Sequence, residues 1–136
     1  MKIFYKTRAT STGGRSGHTA LDDGSLALEM AMPGSGKAGV NPEQLFAMGY
    51  AACFDNALPV AAKQLGLHPE GSRTSVEVGI GQTEAGGYAL DIDLYVEVKG
   101  LSEADAHALV EATHQVCPYS NATRGNVDVR LHTSVA

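Results

Sequence analysis

A run of apolar and small side chains from Leu45 to Ala62, entered through Asn41-Pro42 and left at Gly66, constrains this fold more than any other stretch. Asn41 suits an N-cap, Pro42 carries the fixed φ of a first helical position, and Gly66 can end a helix. One helix is therefore expected to about residue 65. Apolar or small residues lie on nearly all its sides, which predicts a core helix enclosed by other elements. Pro59 falls within it, so a kink or break is expected around 55–59, where a backbone hydrogen bond is lost. A single unit of 136 residues rarely hides a helix on every side, and a partner subunit could supply the missing cover.

Strand patterns flank this helix. Residues 2–8 alternate, with Ile3, Tyr5 and Thr7 on one face, and a strand ending near Leu21 meets Leu26-Ala27-Leu28 across the Asp23-Gly24 turn. Pro33, Gly34, Gly36 and Gly39 mark a loop. Val76, Val78 and Ile80 alternate with polar or small residues. After a turn at 84–87, Tyr88, Leu90, Ile92, Leu94, Val96 and Val98 face one way, and the two strands make a long antiparallel hairpin. Ser102 with Asp105 resembles a capping box, predicting a second helix to about Val116, where Pro118 disfavours continuation. A last strand places Val127, Val129, Leu131 and Val135 inward. The order predicts an α+β fold with antiparallel sheets around the buried helix, in a single domain spanning 1–136.

Composition narrows the function. Hydrophobic residues at 43% and charged residues at 18% exclude a disordered tail. The apolar runs are too interrupted for a membrane span. A net charge of −5 without a Lys/Arg block argues against nucleic acid. Met1 to Lys6 lacks a signal-peptide core, which predicts the reducing cytoplasm, where permanent disulfides are uncommon.

Cys53 and Cys117 are therefore inert thiols, metal ligands or a redox pair. Cys53 taken alone is well explained as a small buried hydrophobe. A working Cys53 in an apolar helix needs a cation to lower its pKa. Arg15, in Gly13-Gly14-Arg15-Ser16-Gly17, is the best candidate, with Glu43 as the carboxylate that orients it. A solvated loop arginine and a helix-dipole carboxylate are the plainer explanations of these two. Ten residues of continuous helix place Glu43 roughly 15 Å from Cys53 along the axis. Either the helix bends sharply between them, or Arg15 and Glu43 reach the sulfur from a partner chain. Zinc held by His114, Cys117 and Cys53 is a weaker reading, because no second closely spaced ligand pair exists. A Cys53–His114 hydrolase leaves Cys117 unexplained.

Asn41-Pro42-Glu43-Gln44-Leu45-Phe46, Gly49-Tyr50-Ala51-Ala52-Cys53-Phe54 and Cys117-Pro118-Tyr119-Ser120-Asn121-Ala122-Thr123-Arg124-Gly125 together resemble the organic hydroperoxide resistance proteins, the Ohr branch of the OsmC/Ohr superfamily. The similarity spans nearly the whole chain. It implies an OsmC/Ohr-like fold and an intertwined homodimer with two active sites at the subunit interface. It further implies a cysteine-based peroxidase that reduces alkyl and fatty-acid hydroperoxides to alcohols. By the same resemblance Cys53 is the peroxidatic and Cys117 the resolving cysteine, Arg15 stabilises the thiolate, and Glu43 is its partner. No metal, haem or flavin is implied, and a lipoylated protein or similar dithiol serves as external reductant. Leu45, Phe46, Met48, Tyr50 and Phe54 could line a pocket for a bulky hydroperoxide, or be plain core. A redox sensor or binding protein without turnover remains the alternative.

Overall fold

The computed structural model describes residues 1–136, which gather into two compact units, Met1–Leu45 and Phe46–Ala136. In the first unit, β1 (Ala9–Thr12), β2 (His18–Leu21) and β3 (Ala27–Glu29) form an antiparallel meander in sequence order. The Asp-Gly turn joins β2 and β3, with Gly24 at φ +79° and Asp23 Oδ1 accepting from the Ser25 amide at 2.8 Å. The alternation at 2–8 does not form a strand. Phe4 and Tyr5 are 90% and 79% exposed, and period-2 patterning makes a strand only where a neighbour supplies the ladder.

The long helix, α1, runs unbroken from Pro42 to Leu65, through Pro59, so the expected break is absent. Its start is a reciprocal capping box: Gln44 N–H donates to Asn41 Oδ1 and Asn41 N–H to Gln44 Oε1, both at 2.9 Å. Gly66 follows at φ +68°.

The second unit carries the rest of α1, then β4 (Gly71–Gln82), β5 (Tyr88–Lys99), α2 (Glu103–Val116), α3 (Pro118–Thr123) and β6 (Val129–Val135). The β4–β5 hairpin is antiparallel over its whole length. β6 pairs parallel to β5, because the chain crosses over through α2 and α3 before returning. Ile92, Leu94, Val96 and Val98 alternate inward along β5 and meet Ala106, Leu109 and Val110 of α2 and the α1 stripe Tyr50, Phe54, Ala57, Leu58, Ala61 and Ala62. Each Val, Leu, Ile or Phe side chain among them contributes about 1.5–3 kcal/mol on burial. Asp55 ties α1 to β4 by accepting from Ser72 Oγ at 2.9 Å and Thr74 Oγ1 at 3.1 Å.

Two features of α1 bear on the expectation of an enclosed core helix. Within one chain it buries a single stripe, at i, i+4, i+7, i+8, i+11 and i+12, while Met48, Val60 and Leu65 stand exposed, so it is not enclosed on every side. It is also long and apolar enough to cross a membrane by length and composition alone. The stripe packed on β5 and α2 makes it the core helix of this unit instead.

Candidate active site

The second unit brings the two cysteines together. Cys53 lies on α1 three residues after Tyr50, and Cys117 is the hinge residue that ends α2 and caps α3. Pro118 at the first position of α3 cannot continue α2 but suits a new helix, which the sequence reading missed. The two Sγ atoms stand 3.7 Å apart, both free thiols, with Cys117 fully buried and Cys53 half-buried.

Around Cys53, burial pushes the thiol up from its ordinary value of 9.0, the Tyr119 backbone N–H pulls it down, and Cys117 raises it again. A sulfur so placed needs an added positive charge to be anionic near neutrality. The Tyr119 amide was not legible in the sequence, because a backbone group is recruited by where α3 begins, not by residue type. Tyr119 itself packs against Phe46 and Tyr50, with ring centroids 6.0 and 5.7 Å away. Gly49 permits this approach: a Cβ there would stand 2.9 Å from the Tyr119 hydroxyl. Of the five side chains expected around a substrate, Tyr50 and Phe54 are fully buried core, while Met48 is 58% exposed. A cavity of about 460 Å³ runs from Leu58 to Ser72 and includes neither cysteine.

Arg15 and Glu43 meet within the first unit. Arg15 Nη1 donates to Glu43 Oε2 at 2.7 Å and Nη2 to Oε1 at 2.5 Å, a two-pronged pair that raises the guanidinium pKa and lowers the carboxylate's. A tight turn presents the arginine. Gly13 and Gly14 take φ +76° and +56°, and a Cβ on Gly17 would fall 1.9 Å from the Thr12 carbonyl oxygen. Lys37 Nζ donates to the Ser16 and Met30 carbonyls at 3.1 and 3.3 Å, bracing the same turn.

His114 does not join a metal-binding group. Its Nδ1 lies 2.7 Å from Ser120 Oγ, and no set of three His, Cys, Asp or Glu residues converges. Burial and the Arg124 charge push the imidazole below 6.5, partly offset by Glu111.

The sequence pattern of the OsmC-like protein family matches residues 34–132. The chain is 46% identical to the organic hydroperoxide resistance protein of Xanthomonas axonopodis pv. citri, over 96% of its own length and 94% of that protein's. This chain belongs to the OsmC-like family. Solved structures agree with the assignment. The OhrB protein of Bacillus subtilis superposes with TM-score 0.90 at 43% identity, covering 97% of this chain and all of that one. An organic hydroperoxide resistance protein from Elizabethkingia anophelis gives 0.88 at 45% identity, covering both chains fully. The OsmC-like fold therefore accounts for the whole chain, with the cysteine pair and the Arg15–Glu43 pair as its chemically distinctive groups.

Proposed function

We propose that this protein is a cysteine-based peroxidase acting in organic hydroperoxide resistance, the role its named relatives carry. The observation that carries the reading is the 3.7 Å approach of Cys117 Sγ to Cys53 Sγ, a separation from which a disulfide closes with little movement. Cys53 thiolate attacks one oxygen of the O–O bond. The alkoxide leaves, takes a proton and departs as the alcohol, and the sulfur becomes a sulfenic acid. Cys117 thiol then attacks that sulfur; its proton and the hydroxyl leave as water, and the disulfide forms. An external dithiol, lipoylated or similar, returns both thiols by exchange and is itself oxidised to a disulfide. The cycle uses no metal or bound cofactor and runs in the cytoplasm.

The thiolate requires a cation because burial raises Cys53. In this reading Arg15, aimed by Glu43, supplies it. On that reading the pair serves the sulfur of a second copy, at a site that two subunits share. A homodimer also answers to the exposed Phe4 and Tyr5 and the uncovered side of α1. The substrate pocket then forms only when the copies join.

The test is steady-state consumption of cumene hydroperoxide, a lipid hydroperoxide and hydrogen peroxide, each with dihydrolipoamide or a monothiol as donor. Many turnovers per subunit with dihydrolipoamide, and faster use of the organic peroxides, are expected. A single equivalent consumed and then silence identifies a sensor instead.

A further inference from the structure

A second link runs beside the sulfur pair. Tyr50 Oη lies 2.7 Å from Ser120 Oγ, and Ser120 Oγ lies 2.7 Å from His114 Nδ1. Each member stands three residues from a cysteine: Tyr50 precedes Cys53 on α1, His114 precedes Cys117 on α2, and Ser120 follows Cys117 on α3. The chain therefore spans the same elements that carry the two sulfurs, about one helical turn away. Tyr50 and Ser120 are fully buried, where leaving a hydroxyl unpaired costs about 1–3 kcal/mol. The arrangement satisfies all three groups. Tyrosine can donate to serine, and serine to the free lone pair of a neutral imidazole, whose neutral form burial favours. Further bonds stiffen the serine's own helix, where Ser120 O accepts from Thr123 Oγ1 at 3.1 Å and from the Arg124 amide at 2.9 Å. Nothing in the peroxidase cycle consumes this chain, since the proton of Cys117 leaves with the departing hydroxyl.

We infer that Tyr50, Ser120 and His114 are positioning residues, a hydrogen-bonded strut that holds the Cys117 hinge against α1 and so sets how readily the Cys53–Cys117 disulfide closes. The inference rests on the proposed disulfide cycle but is tested without peroxide. The full-length protein is equilibrated with reduced and oxidised dithiothreitol: each protein disulfide formed passes two electrons and two protons to the oxidised reagent. The fraction closed gives the effective concentration of Cys117 at Cys53. Tyr50→Phe, which keeps the ring but gives up the bond to Ser120 and a longer one to Thr123 Oγ1 at 3.4 Å, and His114→Ala, at a half-buried site, are each expected to lower it at least about tenfold, the effect of losing a hydrogen bond to Ser120. His114→Asn, whose amide can occupy the Nδ1 position, is expected to restore most of the loss, which mere side-chain volume would not do. Closure at the wild-type level in Tyr50→Phe and His114→Ala, or equal loss in His114→Asn and His114→Ala, overturns the strut. A wild-type protein that closes its disulfide but consumes no hydroperoxide refutes the proposed function and leaves the strut standing.

Discussion

Cys117 Sγ lies 3.7 Å from Cys53 Sγ although 63 residues separate them in the chain, and the hinge between α2 and α3 is what delivers it. If the proposed cycle holds, Cys53→Ser abolishes hydroperoxide consumption. Cys117→Ser performs one oxidation and stops as a sulfenic acid, detectable with a dimedone-type trap. Undiminished turnover in Cys53→Ser rejects the assignment.

Arg15 and Glu43 are predicted to act across a subunit boundary, and two inactive variants decide this. In a statistical mixture of Arg15→Ala and Cys53→Ser subunits, half the dimers hold one complete site if the arginine acts in trans. Mixing after reversible dissociation is then expected to restore about a quarter of wild-type activity. Action within one chain leaves the mixture dead.

Gly17→Ala is expected to mimic loss of Arg15. The added Cβ would sit 1.9 Å from a backbone oxygen, which no rotamer change relieves, so the turn carrying the guanidinium must move. Activity should fall at least about tenfold while the second unit's core is untouched, and the Cys53 pKa, followed by thiolate absorbance, should rise.

Gly49→Ala sets two effects against each other. Alanine favours the helix by about 1 kcal/mol, but its Cβ would meet the Tyr119 hydroxyl at 2.9 Å. The tyrosine is 39% exposed and can swing away, so stability is expected to change by less than about 1 kcal/mol. KM for bulky hydroperoxides should change more than kcat, a split that kinetics with cumene and short-chain peroxides reads directly.

Acid should weaken the fold in two windows. The His114 imidazole is held below 6.5, so the unfolded chain binds this proton more readily, and stability is lost as pH falls from 6.5 toward the lower folded value. His114→Asn should flatten the thermal-stability profile there. Glu43 is held below 4.5 by Arg15: its contribution is complete above 4.5 and disappears as pH falls through the folded value, a loss that Glu43→Gln should remove.

Local chemistry alone determined much of this protein. The Asn41 cap, Pro42, the apolar run and Gly66 set α1 to its last residue, and the alternation from Tyr88 to Val98 set β5, because capping and periodicity act over a few neighbouring residues. The motifs around Cys53 and Cys117 also identified the family before any coordinates. Residues 2–8 show where such reading ends, since an alternating segment becomes a strand only if a ladder partner is present. Tertiary structure alone decided that β6 runs parallel to β5. It also decided that a backbone amide at Tyr119 faces the sulfur and that Tyr50 and Ser120 share a hydrogen bond. Those outcomes depend on how distant segments pack, and packing distances between residues 70 apart leave no periodic or compositional trace in the chain.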